Sequence, residues 1–390
     1  MTIVEIIFWV FFAIVFYTFF GYGIIVFILV KIKNIIKPRK ANYDANYLPT
    51  VTLVVPGYNE ADFILQKVEN SKNLDYPKDR FKIIFITDGS DDGTYEKIKN
   101  IEGITALHVP ERSGKSGAMN RAMQFVDSEV VVFCDANTIL NKESIREIVK
   151  HYQSPETGAV ACEKRIIQKD KENASSAGEG LYWKYESFLK KYDSDLYTTA
   201  GAAGELMSCR TALYQHLPQD TLLDDFMLTM KIAEKGYRIV YEPKAFAMET
   251  ASLSVKEELK RKVRICAGGW QSIFRLPKLL NPFFNFPLSF IYISRKVLRW
   301  SLTPLCMLLL LPVNIMLALD GNPFYITILV LQIAFYCAAL LGWYFENHKI
   351  KFKAFFVPYY FFIMNYSVFA GFMRFIRKKQ TVRWERAKRA

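Results

Sequence analysis

The chain has 390 residues, a formal net charge of +13 and 51% hydrophobic residues, 31 of them phenylalanine. That length holds one large catalytic domain plus several membrane segments, while six scattered cysteines and four scattered histidines exclude a disulfide scaffold or a zinc ribbon and fit a reducing compartment. The basic excess lies beside apolar runs, which makes lipid headgroups rather than nucleic acid its expected partner.

In chain order, residues 6–30 carry no charge and are long enough to cross a hydrocarbon core of about 30 Å as a helix. The run is too long for a cleavable leader, and no basic region precedes it. Lys31, Lys33, Lys37, Arg39 and Lys40 follow at once. By the positive-inside rule, residues 1–40 form a membrane helix with a basic flank, and the next domain faces the cytoplasm of a multi-pass protein of the cell (inner) membrane.

Residues 41–253 read as a soluble α/β domain. Expected strands are 51–55, 81–87, 104–109 and 130–134, with helices from Ala61, over 92–99 and over 117–125. Turn residues end the strands: Pro56-Gly57, then Asp88-Gly89-Ser90, then Asp135. Such alternation implies a mostly parallel sheet with helices on both faces. Ligands bind such sheets beyond the carboxyl ends of the strands. Tyr58-Asn59-Glu60, Asp88 and Asp135 are therefore expected to converge on one crevice.

Residues 254–299 are expected to form amphipathic interfacial helices. The uncharged runs 300–319, 323–345 and 354–373 supply membrane helices within 300–376, and 377–390 is a basic tail. One crossing before the soluble domain and three after it would leave this tail outside, against the positive-inside rule. One run is then re-entrant or interfacial; Pro358, Asn365 and Gly371 make the last the best candidate, and an extra hairpin over 284–293 is the alternative. Asn314 and Asn365 either line a path through the membrane or join helices.

Asp88-Gly89-Ser90-Asp91-Asp92-Gly93 begins like a calcium loop, but its twelfth position is Lys99, where a bidentate Glu is required. Asp91 or Asp92 also suits a helix cap. Glu111-Arg112-Ser113-Gly114-Lys115-Ser116 has the end of a P-loop without its first glycine, Val109 standing there. Lys115, after a glycine and before a helix, still suits phosphate. Asp135-Ala136-Asn137 places two oxygen ligands on the same side of extended backbone, a pattern suited to magnesium or manganese shared with substrate phosphates.

Together these segments resemble the membrane-integrated branch of the family-2 glycosyltransferases, which contains cellulose, chitin, hyaluronan and poly-N-acetylglucosamine synthases. The matching residues keep the family's order: Pro56-Gly57-Tyr58-Asn59-Glu60, Asp88-Gly89-Ser90-Asp91-Asp92, Gly114-Lys115-Ser116-Gly117-Ala118-Met119-Asn120, Asp135-Ala136-Asn137 and Leu223-Asp224-Asp225-Phe226. The resemblance implies a GT-A fold and a UDP-sugar donor held by Pro56, Tyr58, Glu60, Asp88, Lys115, Asp135, Arg261 and Arg264. Asp88 would contact the uracil or ribose. Asp135 and Asn137 would hold Mg2+ or Mn2+, and Asp225, with Asp224, would provide the general base for an inverting displacement. A helix cap is the plainer reading of Asp224-Asp225.

Gly204-Glu205-Leu206-Met207-Ser208-Cys209-Arg210 resembles the family's acceptor-side segment, with the aromatic run Tyr182-Trp183-Lys184-Tyr185 upstream. The sequence departs from the family at two points. Asn137 stands where a second acid is usual, and Arg261-Lys262-Val263-Arg264-Ile265 replaces the Gln-X-X-Arg-Trp motif, so Trp270 and Gln271 are the candidates for the missing acceptor-side tryptophan. Thr381-Val382-Arg383-Trp384 resembles a terminal motif of hyaluronan synthases, and a lipid-anchoring tail explains it equally well. The expected activity is extension of an extracellular or capsular polysaccharide, coupled or not to its passage through the membrane. The rivals are transfer to a lipid-linked acceptor and a non-catalytic nucleotide-binding scaffold. Oligomeric state is left open by the sequence.

Overall fold

In the structure, a computed structural model, residues 1–38, 43–167, 174–250, 255–348, 350 and 353–378 are described. Arg39, Lys40 and the motif at Thr381-Trp384 lie outside them. The expected strands are present as β1 (Val51–Gly57), β2 (Phe81–Asp88), β3 (Thr105–Val109) and β4 (Val130–Cys134), joined by β5 (Ile139–Leu140), β6 (Thr157–Ile167), β7 (Leu206–Arg210) and β8 (Arg238–Thr250). Their order across the eight-stranded sheet is β3-β2-β1-β4-β7-β6-β8-β5.

The first half is parallel, with Val51 opposite both Phe81 and Val130. Its central strands β1 and β4 are buried along their whole length because both faces are covered. Val51, Leu53 and Val55 enter a layer with Ile64, Val68, Ile145 and Ile148. Val54, Val131 and Phe133 enter the opposite layer with Met119, Phe226, Met230 and Tyr292. The helices begin close to where they were expected, at Ile64 and Gly114.

The second half departs from the parallel expectation. β7 runs antiparallel to both β4 and β6. An antiparallel strand enters the sheet at the edge where its parallel neighbours leave it. The segment leading into β7, from Gly201 to Glu205, therefore joins the crevice at the carboxyl ends of β1 and β4.

Among the described residues, four helices are long and apolar enough to cross a membrane: Ile3–Ile36, Leu302–Leu319, Pro323–Asn347 and Ala354–Ile376. The first has two roles along its length. Near its start, Phe8 meets Tyr325 edge-on at 5.3 Å and Trp9 stacks on Phe324 at 5.8 Å. Past a π-helical turn at Tyr17–Gly21, Tyr22, Val26 and Val30 pack with Leu189 of the helix Ala174–Leu196.

No extra hairpin forms over 284–293. Phe286–Tyr292 is a short helix whose Leu288, Ile291 and Tyr292 are buried against the protein. Asn314 bonds Gln332 at 2.9 Å, a contact between two helices, and Asn365 bonds the Phe361 carbonyl of its own helix. The final helix lies along the amphipathic helix Val255–Arg275, with Trp270 against Phe372 at 4.6 Å and Phe274 stacked on Phe375 at 5.6 Å.

Candidate active site

A cavity of ≈ 440 Å³ opens at the carboxyl ends of β1 and β4. Pro56, Glu60, Lys115, Asp135, Asn137, Gly204, Asp224, Asp225, Arg261 and Arg264 all face it, gathered from positions up to two hundred residues apart. Its centre is charged. The Lys115 ammonium lies 2.6 Å from Asp135, 3.7 Å from Asp224 and 3.4 Å from the Gly204 carbonyl. Burial would lower the Lys115 pKa, but the carboxylates of Asp135, Asp224 and Asp225 outweigh it and raise it.

Asp224 and Asp225 open the helix Asp224–Glu234 from inside its first turn, with Leu223 at the cap position. They are not the cap pair of the plainer reading. Burial, then the neighbouring Asp224, push Asp225 up to about 7 against the opposing pull of Lys115. A carboxylate with that pKa is well matched to taking a proton near neutrality. The glycine at position 204 is needed for this packing: a Cβ there would lie 2.9 Å from Lys115 Nζ and 3.2 Å from Asp225 Oδ2.

Asp135 and Asn137 provide hard oxygen donors at one edge of the cavity, where Asp135 already holds a cation in the form of Lys115. Among the described residues no cluster of three His, Cys, Asp or Glu side chains exists to hold a metal. The donor set fits a Mg2+ or Mn2+ that completes its shell with phosphate and water oxygens.

Two expected donor contacts, Asp88 and Tyr58, lie off the cavity wall. Asp88 is fully buried behind the wall. It accepts hydrogen bonds from the Ser113 N–H at 3.1 Å and the Gly114 N–H at 2.7 Å, and it pairs with Arg121. Instead of facing a nucleotide, it fixes the turn that presents Lys115. Tyr58 is off the wall, with the Arg112 guanidinium 3.5 Å from its ring centre, a flat pair that sequence reading missed although it had marked both segments.

The acceptor-side assignment also needs correction. Trp270 packs on Phe372, and Gln271 holds the loop before the acids, accepting from the Leu222 N–H at 3.0 Å and donating to the Asp220 carbonyl at 2.8 Å. The tryptophans on the wall are Trp183 and Trp300. Trp300 meets Phe226 edge-on at 5.4 Å. A Cβ on Gly269 would lie 2.5 Å from the Trp300 ring, so the glycine lets the amphipathic helix seat that indole beside the acids.

Arg261 belongs to a charge network that ties the amphipathic helix to the sheet. It lies 3.1 Å from Glu258 and 3.7 Å from Glu249, while fully buried Lys164 bonds Glu205 at 2.7 Å and pairs with Glu249. Burial would raise the Glu205 pKa, but Lys164 and Arg261 hold it below the usual carboxylate range.

Residues 52–217 match the sequence profile of glycosyl transferase family 2. That segment, somewhat under half of the chain, is therefore similar to the family-2 glycosyltransferase domain. The chain is similar to the poly-beta-1,6-N-acetyl-D-glucosamine synthase of Staphylococcus aureus, at 27% identity over 248 residues, covering 61% of this chain and 58% of that protein. The synthase of the same name from Staphylococcus epidermidis is 23% identical over 267 residues, covering 65% of this chain and 62% of that one. The aligned part thus spans less than two thirds of these relatives. The fold is shared nearly end to end with a mannosyltransferase from Pyrobaculum calidifontis, solved in complex with GDP-Man and Mn2+: TM-score 0.75 at 23% identity, covering 97% of this chain and all of that one. The GT-A expectation stands.

Proposed function

We propose that the protein transfers a sugar from a UDP-sugar, with inversion, to an acceptor presented beside the membrane on its cytoplasmic face. The observation that carries this reading is that Asp225 and the Lys115–Asp135 pair line one cavity. Asp225 takes the proton of the acceptor hydroxyl as that oxygen bonds to the anomeric carbon. The bond from that carbon to the diphosphate breaks on the opposite face, and Lys115 receives the developing negative charge. Asp135 and Asn137 would hold a divalent cation, which when bound neutralises the departing diphosphate. Pro56, Glu60 and Arg264 shape the donor side.

Similarity to the staphylococcal synthases supports a polysaccharide as the product. A lipid-linked acceptor is the second reading. It is favoured by one observation: the helix Ala174–Leu196, which lines the cavity through Trp183, Glu186 and Lys190, also packs on the first membrane-length helix, where the Tyr185 hydroxyl bonds the Phe19 carbonyl at 2.7 Å.

The test uses purified full-length protein in nanodiscs with Mg2+ or Mn2+, a panel of nucleotide sugars that includes GDP-mannose, and Asp225→Asn as control. Metal-dependent nucleotide release with a sugar-bearing product, both lost in the variant, is expected. A product of high mass marks polymerisation, and a product of lipid size marks the second reading. Nucleotide binding without release from any donor would overturn the enzyme reading and leave a scaffold.

A further inference from the structure

The cavity floor is built from the helix Ala174–Leu196, which supplies Glu186 and Lys190 with Asp193 buried behind them, and from the π-helical turn Ile293–Val297 and the residues after it, which supply Arg295, Lys296 and Arg299. Its two carboxylates are fully engaged. Arg295 donates to Asp193 and to Glu186, both at 2.6 Å, Arg299 pairs with the other oxygen of Glu186, and the Tyr22 hydroxyl donates to Asp193 at 2.6 Å.

Two ammonium groups remain. Lys190 is 5% exposed, and its Nζ has no hydrogen-bond partner. The rings of Trp183 at 5.4 Å and Tyr241 at 5.8 Å lie beside it, and Glu186 feels its charge without bonding it. Lys296 comes no nearer than 4.0 Å to a carboxylate oxygen, that of Glu186. Both face the cavity, so the floor carries four cations against two anions. Burial of unmatched charge costs several kcal/mol per ion, and ring faces attract an ammonium without neutralising it. Burial, with Arg295 and Arg299 close by, pushes Lys296 down to about 8, against Glu186. The surplus matches a dianionic oxygen cluster.

The floor reaches the base through aromatic rings: Phe226, next to Asp225, meets Trp300, and Lys296 lies 5.7 Å over the Trp300 ring. It also adjoins the first membrane-length helix, where Arg299 lies 5.9 Å over Phe19 and the Tyr17 hydroxyl bonds Ser294 at 2.6 Å.

We propose that the acceptor is a lipid bearing a phosphate or diphosphate, which Lys190 and Lys296 hold on the cavity floor with its sugar or hydroxyl end at Asp225. The proposal rests on the lipid-linked reading above, and its test reads binding rather than turnover. Full-length protein in phosphatidylcholine nanodiscs is titrated with undecaprenyl phosphate, with undecaprenol and with inorganic diphosphate, and binding is followed by tryptophan fluorescence and native mass spectrometry. The phosphate lipid is expected to bind at least tenfold tighter than the alcohol. The preference is lost in Lys190→Met/Lys296→Met, restored in Lys190→Arg/Lys296→Arg and kept in Asp225→Asn. Unchanged binding of UDP to the double methionine variant shows that it is folded. Equal binding of alcohol and phosphate, or a preference that survives the double methionine variant, would overturn the proposal. So would strong binding of inorganic diphosphate without any preference among lipids, which would assign the floor to the leaving nucleotide. A wild type that prefers the phosphate lipid yet releases no nucleotide from any donor fails the glycosyltransferase reading alone.

Discussion

Substituting Asp224 by asparagine tests the division of labour between the two adjacent acids. Asp225 is raised to about 7 by burial first and by Asp224 second, with Lys115 opposing. Carboxylates on neighbouring residues, roughly 6 Å apart in an effective dielectric of 20–40, repel by about 1–3 kcal/mol, which corresponds to about 1–2 pH units. The base works only when deprotonated, so wild-type activity falls as pH drops through about 7. Asp224→Asn removes the repulsion, lowers the Asp225 pKa and moves the acid limb of kcat/KM down by about 1–2 units. Lys115→Met removes the opposing pull and moves the limb upward, whatever it does to the absolute rate. The assay is kcat/KM for nucleotide release from pH 5 to 9 in nanodiscs at fixed ionic strength. A limb that stays in place in both variants, or that persists in Asp225→Asn, would refute Asp225 as the titrating base.

Three further outcomes are expected. Gly269→Ala forces a Cβ to within 2.5 Å of the Trp300 ring, and such overpacking costs about 1–3 kcal/mol; thermal unfolding of the variant would show the lowered Tm. Trp300→Leu raises the acceptor KM several-fold, whereas Trp270→Leu lowers Tm and leaves that KM in place, as steady-state kinetics with varied acceptor would show. Chelation by EDTA abolishes transfer, and Asn137→Asp lowers the Mg2+ or Mn2+ concentration needed for half-maximal rate, as a metal titration would reveal.

The parallel half of the sheet was legible because β1, β2 and β4 are continuous apolar runs closed by turn residues, and their ends place Glu60 and Asp135 in one crevice. The second half was not. β6 contains Glu163 and Lys164, and the latter is fully buried because Glu205 and Glu249 neutralise it. A partner that distant in sequence leaves no periodic trace. Asp88 shows the other limit: an acid at a strand end can face a ligand or staple a neighbouring loop, and only the positions of Ser113, Gly114 and Arg121 decide for the loop. Trp300 was hidden by its place at the head of an apolar run, where it read as membrane rather than as a wall of the site. The floor lysines gave no signal, since a lone Lys on a helix is ordinarily a solvated charge.

The final helix has a consequence for how the chain is threaded. Leu302–Leu319 starts just after Trp300 at the cavity, and Pro323–Asn347 returns from its far end. The helix that follows carries Arg374 to the same cavity. The last described turn of the chain thus comes back to the wall beside which the first of these three helices began. A label joined near Arg374 pulls on the wall of the reaction chamber, while one joined near Met1 lies at the end of the first helix that packs on Tyr325 and leaves that wall alone.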